Sequence, residues 1–264
     1  MNLPGVYEAK KKNGEIYYRI SITFHNKHIS LGSFSNESQA NSAYILASKI
    51  VREQCYVIDD YSESFDLSFD KWVILINFRD NGMYFKNPIY LKNRYFIYYI
   101  NKKLLLKFDI DDLFYYAHHK IMKRGGHLFV SDYGMQVNIL SRYGIKNYAV
   151  VNRDYRFVNG DNTDYRYGNI EIINRYHGVT KSTHGIKSIY TVKIHINGDY
   201  IVGRYLSENE AAIAYNKATT ILNNLGLKKE FPENYVIDID EIEYARLYNS
   251  VRISKKIRNY IIDN

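Results

Sequence analysis

The chain of 264 residues is long for a single hydrophobic core and suits two or three small modules. Its formal net charge of +8 favours polyanionic partners, first nucleic acid and second an anionic membrane surface. One cysteine excludes an internal disulfide and a cysteine-rich zinc site, and the absence of a long apolar run or an N-terminal signal predicts an intracellular, cytoplasmic protein with no membrane partner.

The first group of predicted elements, from Gly5 to Tyr44, is a small sheet followed by a helix. Apolar and polar residues alternate with the period of a strand that has one buried face; the apolar ones are Tyr18, Ile20, Ile22 and Phe24, and the polar ones are Arg19, Ser21, Thr23 and His25. Asn26-Lys27 stands where a hairpin turn belongs. Ser35 is the predicted N-cap of a helix whose inner stripe consists of Ala40, Ala43, Tyr44 and Ala47.

The middle of the chain is rich in aromatic side chains. Trp72 and the strands between Tyr84 and Tyr99 indicate a hydrophobic core; stacking of bases on such rings is the alternative, which the spacing does not favour. Further along, DDLFYYAHHKIM places His118 and His119 on a helix-like apolar run. This region ends with VNGDNTDYRYGNIEIIN, in which Asn, Gly and Asp predict turns.

A second group, from Gly178 to Tyr215, repeats the first. Both contain the spacing G-x-[FY]-x-x-E-x-x-A-x-x-x-Y, and the matching pairs are Gly5 with Gly178, Tyr18 with Tyr190, Gly32 with Gly203, Glu37 with Glu208, Ala40 with Ala211 and Tyr44 with Tyr215. The alternating strand runs from Tyr190 to Asn197, and Asn197-Gly198 predicts a type I′ hairpin turn. Ser207 is the predicted N-cap of a helix with the inner stripe Ala211, Ala214, Tyr215 and Ala218.

Because each helix covers one face of its sheet, the opposite face is predicted to carry the function. The residues expected on or beside this face are Lys11, Arg19, Thr23 and His25 in the first copy, and Lys181, Lys187, Thr191, Lys193, His195 and Arg204 in the second. A twisted sheet with cations and hydroxyls fits the DNA major groove, with cations on phosphates and polar groups at base edges. An ordinary solvated sheet face is the alternative.

Both copies resemble the APETALA/ethylene-response-factor DNA-binding domain. The sequence Gly-x-Tyr-x-x-Glu-x-x-Ala-Ala-x-x-Tyr of the second copy is similar to the hallmark region, and the first copy matches more weakly. The resemblance covers roughly residues 4–52 and 176–234. It implies a three-stranded sheet packed on one helix, binding of double-stranded DNA through the sheet, and, in phages, a neighbouring HNH nuclease module.

The stretch from Leu91 to Asn174 resembles the central part of phage HNH homing endonucleases. The matching motif residues are Asn159, Gly160, Asp161, Asp164, Arg166 and Asn169. In that family an Asp and the last Asn hold a divalent metal, while a His deprotonates the attacking water. This chain has Arg156-Phe157 at the Asp-His pair, Asn138 at the earlier His and Tyr165 at the middle Asn.

These departures imply that the region keeps the structural residues of the nuclease motif but lacks the residues that would catalyse cleavage. Phenylalanine cannot accept a proton, and the permanent charge of Arg156 repels a cation. We therefore expect no catalytic residue, no metal and no cofactor, with Asn169 as a vestigial metal position and with Arg156 and Arg166 on DNA phosphates. The alternative is a working centre that uses one of three other histidines, namely His118, His119 and His127.

The C-terminal segment predicts a helix that begins after Asp238 or Asp240. Its partial apolar stripe would be Ile242, Ala245, Tyr248 and Ile253, beside the basic residues Arg246, Arg252, Lys255, Lys256 and Arg258. A docked helix with a solvated basic side is the preferred interpretation. Contact with the DNA backbone or a dimer interface is the alternative.

The predicted fold class is α+β, with two small three-stranded-sheet-plus-helix modules flanking a degenerate ββα (HNH-like) domain. The expected boundaries are 1–55 and 176–235 for the modules, 56–175 for the HNH-like domain with its preceding β-rich segment, and 236–264 for the C-terminal helix. We expect sequence-preferring binding of double-stranded DNA without cleavage, regulating transcription or blocking a site in a phage or mobile element, and a homodimer is compatible with the sequence. The alternatives are an active HNH homing endonuclease with an atypical centre and an interaction protein that binds a host nuclease or polymerase.

Overall fold

The computed structural model describes residues 3–262, which form two compact units. The first unit runs to Ile139 and takes in Asp161–Asn169; the second comprises Leu140–Gly160 and the chain from Ile170 on. Residues 56–175 are therefore divided between the two units instead of forming a domain of their own. The reason is that the loop 161–169 pairs with a strand of the first unit, whereas the strands on either side of it pair with each other in the second.

Helices and short antiparallel sheets alternate along the chain, so that the protein is mixed α and β. The elements of the first unit are β1 (Val6–Lys10), β2 (Ile16–Phe24), β3 (Lys27–Phe34), α1 (Glu37–Glu53), α2 (Phe69–Asn81), β4 (Ile89–Leu91), β5 (Tyr95–Asn101), β6 (Leu104–Asp109), α3 (Leu113–His118), β7 (Ile121–Arg124), β8 (His127–Asp132) and β9 (Met135–Asn138). Those of the second are β10 (Tyr155–Phe157), β11 (Ile170–Ile172), β12 (Val179–His184), β13 (Lys187–His195), β14 (Asp199–Tyr205), α4 (Glu208–Asn224), α5 (Glu241–Ser250) and α6 (Lys255–Arg258).

The internal repeat has the same structure twice. Strands β1, β2 and β3 form an antiparallel sheet followed by the 17-residue helix α1, and β12, β13 and β14 form one followed by the 17-residue helix α4. Each sheet has a bulge at the equivalent place, beside Gly32 in the first copy and beside Gly203 in the second. The predicted alanine stripes are buried against the sheets. The repeat inferred from the spacing is thus present in the fold.

A steric contact explains why a glycine and a tyrosine match in both copies. Gly5 and Gly178 both have φ +74, a left-handed conformation that glycine adopts readily. A Cβ atom on Gly5 would lie 2.2 Å from ring carbons of Tyr44, and one on Gly178 would lie 2.5 Å from ring carbons of Tyr215. The glycine therefore lets the chain that enters each sheet cross directly over a helix tyrosine.

Helix α2 lies at the centre of the first unit. Seven consecutive residues, from Trp72 to Phe78, are buried, which is the pattern of a helix that is covered on all sides. It packs on α1 and on strands β4 and β5, and Trp72 belongs to the same core as the β1–β3 sheet. Its indole N–H donates to the carbonyl of Ile58 at 3.2 Å. The prediction that Trp72 belongs to a core is confirmed.

The predicted turns and the predicted cap of α1 differ in the structure, whereas Ser207 holds its predicted N-cap position. The side chain of Asn36, not Ser35, caps α1 and accepts the Ser38 N–H at 2.7 Å, because it stands one residue closer to the helix. The first hairpin turn is His25-Asn26, whose φ values of 45° and 59° are those of a type I′ turn. In the second copy neither Asn197 nor Gly198 has a positive φ, so the predicted type I′ turn is not formed there. Ser207 stands at the N-cap of α4 without a side-chain cap bond.

The predicted ββα unit lacks its helix. Strands β10 and β11 form a two-stranded antiparallel sheet, but within the described residues no α-helix lies between β11 and β12. The short stretch 173–178 leads directly into β12, because its Asn174 side chain bonds to the carbonyl of Arg153 at 2.6 Å and to the N–H of Lys181 at 2.8 Å. These bonds hold the chain in a non-helical path.

The C-terminal segment forms two helices where one was predicted. Helix α5 begins after Asp240, as expected, and the Asp240 side chain accepts the Glu243 N–H at 2.7 Å. The predicted stripe is correct for Ile253, which is buried, and for Tyr248, which packs against the core. It is wrong for Ile242, which is 82% exposed, and it missed the buried Leu247, Val251 and Ile257. The helix ends at Val251 in extended backbone (ψ 133), which changes the residues that face the core. These residues pack with α4 and the second sheet.

Candidate nucleic-acid interface

The solvent face of the second sheet presents a row of polar side chains along β13. Val192 and Ile194 are buried towards α4, so Thr191 and Lys193 point the other way. Alternation places Lys187 and His195 on the same face, and Arg204 of β14 pairs opposite Thr191. The predicted alternation along this strand is confirmed, whereas Lys187 lies within β13 and not at the flanking turn where it was expected.

Cations dominate this face, with one acidic partner. Lys193 and Arg204 are exposed, and neither makes an ion pair within residues 3–262. His195 is engaged, since its Nδ1 lies 2.8 Å from Oδ1 of Asp199; this hydrogen bond lowers the pKa of Asp199. The face therefore offers at least two cations without an ion-pair partner to an approaching anion.

Lys181 lies on the opposite side of the same sheet. Its position in β12 pairs with Tyr190, which packs against the core, and its Nζ is 6.0 Å from the centre of the Tyr190 ring. The prediction placed Lys181 at a flanking turn, which is wrong because β12 extends through this residue. Strand alternation puts Lys181 on the sheet face that carries α4, with its side chain exposed.

The solvent face of the first sheet is polar and less charged. Arg19 is exposed in β2, where it pairs opposite Tyr7 and Ser33, and it makes no ion pair within the described chain. Thr23 is also exposed, and its Oγ1 lies 3.5 Å from Nδ1 of His28. At the β1–β2 turn, Lys11 forms an ion pair of 2.9 Å with Glu15. Arg19 is thus the cation of this face that is available to a ligand.

The first copy contains one misplaced histidine and one that the prediction missed. His25 lies in the β2–β3 turn, where its ring stacks on Phe24 (4.0 Å between centres) and meets Phe78 at 5.9 Å. Its positive φ breaks the alternation, so it does not continue the row of Arg19 and Thr23. His28 occupies that row instead. The alternation of His28 with the buried Ile29 is a signal in the sequence that could have identified it.

A depression adjoins the second sheet at the end that carries Lys193. Residues of β12 and β13 line it together with Arg153 and His177. Arg153 binds the largely buried Asp154 carboxylate at 2.6 Å, and burial followed by the nearby Arg153 charge lowers the pKa of His177. His177 is therefore neutral at neutral pH, and Lys193 lines this depression as a cation that has no ion pair within residues 3–262.

Arg156 is already neutralised by a neighbour. It pairs opposite Glu171 across β10 and β11, and its guanidinium lies 2.7 Å from the Glu171 carboxylate. Both side chains are about half exposed. The prediction that Arg156 offers a cation to a phosphate overlooked this partner, which stands fifteen positions further along the chain.

The remaining HNH-like residues organise the loop 161–169. Arg166 makes a bidentate ion pair with the buried Asp164, at 2.8 and 2.6 Å. The amide of Asn169 donates to the carbonyls of Asp161 and Asp164 at 3.2 and 2.8 Å. Hydrogen bonds from Thr163, and then from Lys107, lower the pKa of Asp161 to about 2. Arg166 is therefore engaged by Asp164 inside the loop, a partner that the predicted phosphate contact did not take into account.

The residues of this region do not fit a nuclease metal. Arg156 and Phe157 stand where the resemblance predicted an Asp and a His, and the Asn169 amide is buried and bound to loop carbonyls. Among residues 3–262 no group of three or more His, Cys, Asp or Glu side chains could hold a metal ion. Nδ1 of His118 and of His119 lies 2.8 and 2.9 Å from the carbonyls of Phe114 and Tyr115, respectively, and His127 begins strand β8.

Comparisons of the chain with protein-family models, curated proteins and solved structures found no match. In the described part of the chain, each helix is too short or too polar to cross a bilayer. The candidate interface consequently rests on the residues and geometry of the two sheets.

Proposed function

We propose that this protein binds double-stranded DNA with sequence preference through the solvent faces of its two repeated sheets, and does not cleave it. The observation that carries the proposal is the repetition of one sheet-and-helix module with exposed cations and hydroxyls on the face away from the helix. In the second module these are the exposed Lys193 and Arg204, beside the half-buried Thr191. Lysine and arginine bind phosphate, and arginine and hydroxyl groups also read base edges.

Electrostatics supports the choice of partner. The net charge of +8 attracts a polyanion, and each phosphate that a cation neutralises releases condensed counterions. Two modules on one chain increase the effective concentration of the second module once the first is bound, which lengthens the recognised site. A long recognised site suits a transcription regulator or a site-blocking protein of a phage or mobile element, which is the role we propose.

The proposal of binding without cleavage rests on the nuclease-like region. A general base must accept a proton and a metal site needs anionic or neutral oxygen and nitrogen ligands, whereas the matching positions are Phe157 and the Glu171-bound Arg156. We therefore propose that the loop 161–169 has a structural role and takes no part in cleavage.

The test compares two lysines of the same sheet that differ in face. Lys193→Ala should weaken binding to the preferred duplex by about 1–3 kcal/mol, because it removes a cation aimed at the groove. Lys181→Ala removes the same charge from the helix side and should change affinity by much less. Binding is measured by fluorescence anisotropy against a selected site and a random duplex, over a range of salt concentrations.

Two results would contradict the proposal. One is binding of the wild type that does not weaken as salt rises, since phosphate contacts require that dependence. The other is an equal loss of affinity for the preferred site in Lys193→Ala and Lys181→Ala. That result would mean that the sheet face with Lys193 is an ordinary solvated surface.

A further inference from the structure

The C-terminal segment 251–258 is fixed along the outer edge of the second sheet. Ser254 makes two of the bonds that hold it there: its N–H donates to the carbonyl of Val202 at 2.9 Å, and its hydroxyl donates to the carbonyl of Ile201 at 2.9 Å. The hydroxyl of Tyr205 donates to the carbonyl of Arg252 at 2.7 Å. These bonds join the segment to strand β14 itself.

The bulge in β14 creates this attachment point. Val192 pairs with Gly203 and Lys193 with Ile201, so Val202 is the extra residue of the bulge. A bulged residue leaves ladder hydrogen bonds unmade, and a sheet edge with unpaired groups invites another chain to pair with it. Here Ser254 pairs with these carbonyls of β14, and the C-terminal segment lies where a foreign strand would otherwise add.

The apolar side chains of this segment are buried, and its basic side chains are exposed to solvent. Val251, Ile253 and Ile257 are buried in the core of the second unit. Between and beyond them stand four exposed cations without an ion pair in the described chain: Arg252, Lys255, Lys256 and Arg258. The sequence from Val251 to Ile262 contains no acidic residue.

We infer that this basic strip, formed by Arg252, Lys255, Lys256 and Arg258, contacts the sugar-phosphate backbone of the DNA that the second sheet recognises. The inference rests on the proposed function and assigns different DNA contacts to the strip and to the sheet face. Ser254 binds the carbonyls of Ile201 and Val202 in β14, the strand that also carries Arg204, so the strip lies along the sheet edge next to the cationic face. A phosphate contact carries no base information, so the strip supplies affinity and the sheet face supplies preference.

The experiment neutralises three charges of the strip and leaves its buried anchors intact. The triple variant Arg252→Gln, Lys255→Gln and Lys256→Gln is compared with a control of equal charge change, Lys86→Gln, Lys103→Gln and Lys123→Gln, whose lysines are exposed in the first unit. The slope of log affinity against log salt should fall by about 2–3 in the strip variant, since each lost phosphate contact contributes about 0.9. The ratio of preferred to random binding should stay unchanged, and the control should keep the wild-type slope.

Each other outcome has a distinct meaning. A wild-type slope in the strip variant, or the same fall in both triple variants, overturns the inference and leaves the proposed function standing. Loss of preference with an unchanged slope overturns the assignment of the strip to phosphate. Loss of binding to phosphatidylserine vesicles, with duplex binding unchanged, assigns the strip to a membrane surface instead. Failure of the wild type to bind duplex DNA overturns the proposed function itself.

Discussion

Replacing Gly5 by alanine should destabilise the first unit far more than replacing Gly14, although both glycines have a left-handed backbone. Their φ values are +74 and +86. A Cβ atom on Gly5 would lie 2.2 Å from two ring carbons of Tyr44, whereas one on Gly14 would have no atom within 4 Å. The pair therefore separates the cost of the backbone conformation from the cost of the contact.

The structure sets the size of both effects. A non-glycine residue in the left-handed region costs about 1–2 kcal/mol, which is the whole expected loss for Gly14→Ala. At Gly5 the Tyr44 ring must also move as a unit, and overpacking of this kind typically costs about 1–3 kcal/mol. We therefore expect Gly5→Ala to lower the free energy of unfolding by about 2–5 kcal/mol.

Urea unfolding followed by tryptophan fluorescence measures this difference. The only tryptophan, Trp72, is buried in the same core as the β1–β3 sheet, so its signal follows the unit that contains both glycines. In a Tyr44→Ala background, Gly5→Ala should cost only the backbone part, because the clashing ring is gone. A loss for Gly5→Ala no larger than for Gly14→Ala would refute the assignment of the repeated glycine and tyrosine to a steric contact.

Three further results are expected. Incubation with plasmid and magnesium or manganese should produce no nicking; metal-dependent nicking that disappears when any one of three histidines, His118, His119 or His127, is changed to alanine would establish the endonuclease alternative. Arg156→Ala should change the affinity for all duplexes by less than about 1 kcal/mol, because Arg156 is already ion-paired with Glu171. A larger loss of affinity in a filter-binding assay would show that Arg156 leaves Glu171 to contact the DNA. The pKa of His177 is lowered in the folded protein, so unfolding takes up a proton below the ordinary histidine pKa of about 6.5. The free energy of unfolding should therefore fall as pH drops through and below that value. In urea titrations at several pH values, His177→Gln should make this pH dependence less steep; an unchanged pH dependence would show that His177 is not its cause.

Local periodicity accounts for what could be predicted. The alternation along β13, the alanine stripes of α1 and α4, and the repeat itself follow from the geometry of one strand or one helix. The same reasoning correctly placed Thr191 and Lys193 on the sheet face away from α4. Arg204 was expected near the start of the third strand but stands near the end of β14. The reasoning failed at His25 because the polar pattern continues through this residue, whereas the strand does not. His25 is a turn residue with a positive φ, so the alternation of side chains ends at Phe24.

Tertiary contacts decided which cations have partners. Arg156 and Arg166 are conspicuous in the sequence, but their ion pairs with Glu171 and Asp164 depend on strand pairing and on the fold of a loop. Lys181 shows the same limit, since its face is known only once the extent of β12 is known.

The sequence by itself determined the repeat, the buried face of each sheet and helix, and the excess of positive charge, because each depends on residues close together in one element or on composition. Only the tertiary structure decided that the C-terminal segment lies on the bulge of β14, that residues 161–169 belong to the first unit, and that no helix follows β11. These features depend on hydrogen bonds between residues far apart in the chain, such as Ser254 and Ile201. Such bonds form only when the fold brings the two partners together, and no local pattern encodes them.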